Sequence, residues 1–260
     1  RELFFARPHT GMEDVMTHDP VAVRPDSDRE VVAELIERYR LMAIPVTDEA
    51  GYLKGMVRFD EAMEAVREEI GEDLTQMVGA GAEETVFTPI PVSVRRRLPW
   101  ISFNLLIGLM IAFAIEPFRE TIAEYPILAA LMPMVALLGG NSGAQSQAVI
   151  IRAMAIGDLP PGRAWRAVRR EFAVGAINGA AMSAMAGLAV AVIAPDPEVG
   201  VVVAVAVFVS LLVAGLAGAG IPVIMRRLGL DPALASNIFL TMITDLVGFT
   251  GFLLTATLLL

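Results

Sequence analysis

The chain has 260 residues, 55% of them hydrophobic, and a mean hydropathy of +0.62. A composition this apolar excludes an ordinary soluble domain and indicates a membrane protein. There is no cysteine, which excludes disulfides and thiolate metal sites.

Charge divides the sequence into two parts. Residues 1–94 carry a net charge of −11, whereas residues 95–260 carry +2. We therefore predict an acidic soluble segment followed by a nearly neutral membrane segment. No signal peptide is recognisable at the start, and because the sequence opens on Arg1 we expect a fragment of a longer protein.

The soluble segment has the pattern of a small α/β unit. Short β-branched runs alternate with stretches whose apolar residues recur at helical spacing. The predicted order is strand, helix, strand, strand, helix, at Val21–Val23, Val31–Tyr39, Ile44–Thr47, Tyr52–Val57 and Phe59–Ile70.

Several short motifs in this segment resemble a CBS domain: Val15-Met16-Thr17, Pro20-Val21, Leu41 to Val46, and Gly55-Met56-Val57. The resemblance implies a CBS unit over residues 1–74, with residues 1–10 as the tail of a missing preceding unit. It also implies an adenine nucleotide as a partner, bound near Asp60. Arg58 stands where such domains usually carry a hydroxyl side chain.

Acidic residues crowd the second predicted helix and its end. Repulsion among them would be relieved by a hard divalent cation, which prefers oxygen ligands. We therefore hypothesise a Mg²⁺-sensing surface; the alternative is a solvated helix face. Its candidate residues are Glu61, Glu64, Glu68, Glu72 and Asp73.

The remainder of the chain predicts an α-helical membrane protein with five transmembrane helices. After a connecting segment or helix at 75–97, residues 98–260 contain five apolar stretches, and about 20 residues suffice to cross a bilayer. The predicted spans are Leu98–Ile115, Pro126–Ile156, Phe172–Ala194, Gly200–Met225 and Pro232–Leu260.

Arginine placement predicts the orientation. Clusters at 95–97, 163–170 and 226–227 fall on one side of the membrane, and the alternate loops are acidic. The positive-inside rule then places the N-terminal segment in the cytosol and Leu260 outside the cell membrane.

Asp245 is an ionisable residue near the middle of the fifth span, where a charge is costly and is by default a functional-site hypothesis. At 100° per residue it shares an arc of about 100° with other polar or small residues. A protonated aspartate bonded to a neighbouring helix is the alternative. The residues of this arc are Asn237, Thr241, Thr244, Asp245 and Gly248.

The second span contains a polar, glycine-rich cluster over residues 139–147. Amide, hydroxyl and backbone oxygens suit a hydrated hard cation, and glycines allow local unwinding where the backbone lines water. A polar helix–helix contact would explain one or two of these residues. The candidate ligands are Gly140, Asn141 and Ser142.

Together, Gly139 to Ser146 and Leu228 to Asn237, followed by Thr244-Asp245, resemble the MgtE family of Mg²⁺ channels and transporters. The resemblance implies a homodimer whose second and fifth helices line a pore at the dimer axis. It implies Asp245 and Asn237 as pore residues, and feedback closure by cytosolic Mg²⁺. Ala144 stands where the family usually has a second asparagine.

Other functions remain open at this point. A membrane enzyme would have to act through Asp245 alone, because the spans hold no HExxH motif, paired histidines or cysteine. A non-transporting receptor would leave the polar second span unexplained. Among transporters, Mn²⁺, Co²⁺ or Zn²⁺ are alternatives to Mg²⁺.

Overall fold

A computed structural model describes residues 5, 7, 9–77, 79–80, 84–233 and 236–260. The chain forms two compact units, which divide between Gly71 and Glu72. Most of residues 1–10, which we predicted to be the tail of a preceding unit, lie outside the described part.

The first unit is a small α/β unit, as predicted. Its elements are α1 (Met12–Val15), α2 (Arg29–Arg38), β1 (Ala43–Thr47), β2 (Leu53–Arg58) and the greater part of α3 (Phe59–Met77). Strands β1 and β2 are antiparallel, with Ile44 opposite Val57 and an irregularity at Val46/Thr47. Helices α2 and α3 cover the sheet with a small core that includes Val32, Ile36 and Ala62.

The predicted first strand is wrong as a full strand. Val23 forms a single parallel bridge with Val46, in which its N–H donates to the Pro45 carbonyl and its carbonyl accepts from the Thr47 N–H. Pro25 follows two residues later and has no N–H to extend such a ladder. The segment therefore contributes one buried valine to the core.

The second unit is a bundle of long helices. It comprises α4 (Ile90–Ile115), a 3₁₀ turn (Glu116–Phe118), α5 (Arg119–Glu124), α6 (Ile127–Ala155), a 3₁₀ turn (Pro161–Arg163), α7 (Ala164–Ile193), α8 (Glu198–Arg227) and α9 (Ser236–Leu259). Within the described residues, five helices are long and apolar enough to cross a membrane, which confirms the predicted fold class.

Two helices begin earlier than the apolar stretches predicted. Helix α4 starts at Ile90 and takes in Arg95 to Arg97, and α7 starts at Ala164 and takes in its own arginines. Arginine is a good helix former, so a charged flank ends an apolar stretch without ending the helix. Pro91 in the first turn of α4 fits a helix start, because the missing N–H is not needed there.

Helix α8 is the centre of the bundle. It packs against α6, α7 and α9 and carries more buried residues than any other helix of this unit. By contrast, α4 buries only Ile107 and Ile111, which pack on Ile238 of α9. The bundle thus buries more than half of α8 and leaves wide faces of the other helices uncovered.

Candidate ion site in the membrane unit

Close glycine contacts bring α6, α8 and α9 together. A Cβ at Gly143 would lie 2.7 Å from the Leu240 Cδ1 of α9, and a Cβ at Gly218 would overlap the Gly143 carbonyl oxygen. Because these glycines have no side chain, the Leu240 side chain fits directly against α6, and the backbones of α6 and α8 approach closely, as small residues allow in membrane helices. The glycines of the polar cluster on α6 therefore determine how α9 lies beside it.

Part of the predicted polar arc of α9 is turned into this contact. Thr244 is buried, and its hydroxyl donates to the carbonyl oxygens of Leu240 at 3.0 Å and Thr241 at 3.2 Å. Gly248 is also buried, beside Val135 of α6. These two residues serve packing, and their burial keeps them from contact with an ion.

The remaining residues of the arc face outward. Thr241 is exposed, and its hydroxyl donates to the Asn237 carbonyl at 2.9 Å, which leaves its oxygen lone pairs available. Asn237 and Asp245 are half-buried. Within the described part of the chain, the Asp245 carboxylate forms no hydrogen bond or ion pair. Asp245 is therefore not bonded to a neighbouring helix of the same protomer, which was the alternative.

These outward residues lie in a strip between two helix contacts. On one side, Leu240 and Thr244 pack toward α6; on the other, Ile238 and Met242 pack with α4. At 100° per residue, Asn237, Thr241 and Asp245 fall between the two contacts. A polar strip is therefore left open along one face of α9.

The polar cluster of α6 divides in the same way. Gly139 and Gly143 are buried, Gly140 and Ser142 are half-buried, and Asn141 is exposed. The helix runs unbroken from Ile127 to Ala155, so the local unwinding that the glycines allow does not occur here. The Gly140 carbonyl is consequently part of an intact helix. Of the three candidate ligands, the exposed Asn141 side chain offers the most accessible oxygen.

A single protomer supplies too few ligands for a bare metal ion. Among the described residues, no three His, Cys, Asp or Glu side chains cluster closely enough to hold one. Asp245 is the only carboxylate on the open strip of α9. One carboxylate beside amide and hydroxyl oxygens suits a cation that keeps most of its water, or one that is shared with a second copy.

Three acidic residues of α3 line a separate cavity of about 340 Å³ in the first unit. Glu61, Glu64 and Glu68 line it together with Arg24 and Arg29. Arg29 forms an ion pair with Glu68 at 3.7 Å, so part of the acidic charge already has a partner. Glu72 follows on the same helix, and the side chain of Asp73 lies outside the described residues.

Asp60, the candidate nucleotide residue, does not line this cavity. Its carboxylate pairs with the Arg58 guanidinium at 2.9 Å, and Glu61 accepts a hydrogen bond from the Arg58 N–H at 3.0 Å. The arginine that replaces the usual hydroxyl thus holds both neighbouring carboxylates.

One residue near the site was missed by sequence reasoning. Ser210 of α8 is 1% exposed, and a Cβ at Gly139 would overlap its hydroxyl oxygen. A single serine in an apolar helix carries no periodic signal. Only the packing of α8 against α6 reveals that it lies behind the polar cluster.

Two parts of the chain match known protein families. Residues 132–255 match a family model described as MgtE, divalent cation transporter, and residues 12–68 match the CBS domain. The first description concerns transport, and neither names an enzyme.

Curated relatives match along nearly the whole chain. The magnesium transporter MgtE of Bacillus subtilis is 33% identical over 247 residues, covering 95% of this chain and 55% of that protein. Those of Enterococcus faecalis and Thermus thermophilus are 31% and 34% identical, covering 95% and 100% of this chain and 54% and 58% of theirs. The chain spans about half the length of these relatives. Residues 132–255 therefore belong to a domain of the MgtE family, and a CBS domain precedes this domain in the sequence.

Proposed function

We propose that this chain carries Mg²⁺ across the membrane along the open polar strip of α9 and the facing part of α6. The observation that carries the proposal is Asp245, a half-buried carboxylate in a membrane-spanning helix with no recorded partner among the described residues. Such a charge is stable only beside a cation or water. The names of the relatives support Mg²⁺ as that cation.

The site requires a second copy of the chain. Two Asp245 carboxylates related by a two-fold axis would hold one Mg²⁺ through its water shell, which this ion gives up reluctantly. Asn141, Asn237 and Thr241 would hydrogen-bond those waters, with Gly140 and Ser142 beside them. Membrane lipid would cover the apolar faces elsewhere, such as that of Ile177, which is 71% exposed.

Import needs no coupled energy source in this account. With the arginine-rich ends in the cytosol, two charges moving inward gain roughly 4–5 kcal/mol per 100 mV of membrane potential. The membrane potential alone therefore drives accumulation of the ion, and a passive pore suffices.

The first unit would report the cytosolic Mg²⁺ concentration to the pore. Mg²⁺ bound among Glu61, Glu64, Glu68 and the following Glu72 and Asp73 would relieve their repulsion and favour a closed pore. An adenine nucleotide would be a second ligand of this unit, and the 340 Å³ cavity with its two arginines is large enough for part of one.

Flux into liposomes tests the proposal. The purified chain is reconstituted, a potassium gradient with valinomycin sets the interior negative, and entry of Mg²⁺, Mn²⁺, Co²⁺ and Zn²⁺ is followed with an enclosed indicator. We expect Mg²⁺ to enter faster than in protein-free vesicles, and faster still at more negative potential. Entry of another divalent ion in preference to Mg²⁺ would favour the broader family description, and no entry would refute transport by this chain.

A further inference from the structure

A buried hydroxyl lies directly behind the open polar strip. Ser210, in the middle of α8, is 1% exposed, and its Oγ has no hydrogen-bond partner among the described residues. Buried hydroxyl groups in proteins are nearly always bonded, and one that is not destabilises the fold. Alanine at this position would avoid that cost, so the hydroxyl is not explained by the stability of the bundle.

The hydroxyl fills a notch formed by two glycines on two other helices. A Cβ at Gly139 of α6 would overlap the Ser210 Oγ, and a Cβ at Gly248 of α9 would lie 3.6 Å from it. Thr244 of α9 borders the same notch, with its Cβ 3.8 Å from a Cβ placed at Gly139. Three helices therefore meet at one oxygen atom.

The notch lies next to the candidate ion ligands along both helices. Gly139 precedes Gly140 and Asn141 in α6, and Thr244 precedes Asp245 in α9. Adjacent residues of a helix move together, because the backbone between them is hydrogen-bonded and rigid. Any change in the spacing at Ser210 thus shifts the turn of α6 that carries Gly140 and Asn141 relative to the turn of α9 that carries Asp245.

We infer that Ser210 is a positioning residue for the ion path, whose hydroxyl sets the distance between the ligand-bearing turns of α6 and α9. The inference rests on the proposed function. A binding site must be held to within about 0.5 Å to work well. A hydroxyl that costs stability but fixes this spacing fits that role.

The test is a pair of single variants and their combination, assayed for the Mg²⁺ concentration that half-saturates uptake. Ser210→Ala removes the spacer, and Gly139→Ala forces the helices apart; each is expected to raise the half-saturating concentration about fivefold, as for contacting residues. In the double variant, the methyl of residue 139 occupies the space of the lost oxygen. Its other neighbours, the Cβ atoms of residues 210 and 244, lie at 3.7 Å and 3.8 Å, which are ordinary contacts. The double variant should therefore approach the wild-type value.

Stability separates positioning from folding. Ser210→Ala should melt in detergent at the wild-type temperature or above, because it removes an unbonded buried hydroxyl. Ser183→Ala is the matched control: this serine of α7 is half-buried, and its hydroxyl donates to the Ala180 carbonyl. We expect the control variant to keep the wild-type half-saturation.

Two results would overturn the inference: a wild-type half-saturating concentration for Ser210→Ala, or a double variant no better than Gly139→Ala. The same liposomes include wild type and Asp245→Asn. If wild type takes up no Mg²⁺, or Asp245→Asn takes it up equally well, the proposed function fails and the inference fails with it. If those two proteins behave as proposed and Ser210→Ala keeps the wild-type half-saturating concentration, the inference alone is wrong.

Discussion

The contact between α7 and α8 is completed within one chain, whereas the outer face of α6 and α9 is not. In the α7–α8 contact, a Cβ at Gly175 would lie 2.7 Å from the Leu211 carbonyl oxygen, and one at Gly215 would lie 2.7 Å from that of Glu171. On the α6–α9 face, by contrast, Asn141 and Thr241 are exposed and Asp245 has no recorded partner in the described chain.

The difference indicates which surface has all its contacts within one chain and which surface needs a partner from outside it. Small residues let helices pack without any polar partner, so the α7–α8 contact needs nothing beyond itself. Polar and charged groups facing lipid are costly, so the α6–α9 face needs water, an ion or a second copy.

The largest expected effect is at the charge itself. Asp245→Asn keeps the shape and removes the attraction for a cation. Losing one charged partner costs about 2–5 kcal/mol, so we expect Mg²⁺ uptake into liposomes to fall at least about 30-fold. The matched control is Asp158→Asn, an exposed carboxylate in the turn after α6, which should transport normally. A comparable loss in both variants would contradict a specific role for Asp245.

The next effect tests the completed contact. Gly215→Ala places a methyl group against the Glu171 carbonyl, and we expect the bundle to lose about 1–3 kcal/mol of stability. Its control lies on the same helix: at Gly220 a Cβ would meet nothing within 4 Å, so Gly220→Ala should be close to neutral. Thermal melting in detergent distinguishes them, and equal melting temperatures would mean that the α7–α8 contact is looser than described.

A smaller effect compares two threonines of α9. Thr241→Val removes an oxygen from the open strip and should lower Mg²⁺ uptake about fivefold, the equivalent of one hydrogen bond. Thr244→Val acts on the packed side, where the hydroxyl is bonded within its own helix. This variant should change the melting temperature, and it should lower Mg²⁺ uptake less than Thr241→Val does. The reverse ranking in uptake would place the ion path on the wrong side of α9.

The smallest effect concerns Asp48, whose carboxylate, unlike that of Asp245, has hydrogen-bond and ion-pair partners in its own turn. The N–H groups of Tyr52 at 2.9 Å and Ala50 at 3.1 Å donate to Asp48, and Lys54 pairs with it at 3.0 Å. The Tyr52 N–H, then Lys54, hold the pKa of Asp48 below its ordinary value. The turn is therefore fully stabilised at neutral pH, above the unfolded pKa, and loses that support as pH falls through the lower folded pKa.

An NMR titration of the Tyr52 amide would measure this pKa in the whole chain. We expect Lys54→Ala to raise it while leaving it below the ordinary aspartate value, because the larger cause is the backbone hydrogen bond. An unshifted pKa in the wild-type chain would show that the turn is open in solution.

The features that could be predicted from the sequence are those that depend on the residue composition of a single helix. Five apolar stretches predicted the five membrane helices, and Asp245 stood out because an ionisable residue is conspicuous among apolar neighbours. The helix starts at Ile90 and Ala164 were missed because a hydropathy pattern ends at the first arginine, although the helical backbone does not.

What could not be predicted depends on contacts between helices. The polar arc of α9 was predicted as one set, but Thr244 packs inward while Thr241 faces out, since α6 covers only one edge of the arc. Ser210 was invisible for the same reason: its importance comes from Gly139 and Gly248, which lie 71 and 38 residues away along the chain. The strand predicted at Val21–Val23 had the right composition, but it found a ladder partner at a single residue.

The central claim is that the α6–α9 face borders water and a cation, and cysteine accessibility tests it most directly. The chain has no cysteine of its own, so Thr241→Cys can be assayed alone. Because only the thiolate reacts, a charged thiol reagent modifies cysteines in water and spares those in lipid. Ile177→Cys, on the exposed face of α7, is the lipid control.

We predict that the Thr241→Cys variant reacts, that Mg²⁺ slows the reaction, and that adding Asp245→Asn removes this protection. A Thr241→Cys variant as inert as Ile177→Cys, or one that reacts equally fast with and without Mg²⁺, would contradict the account.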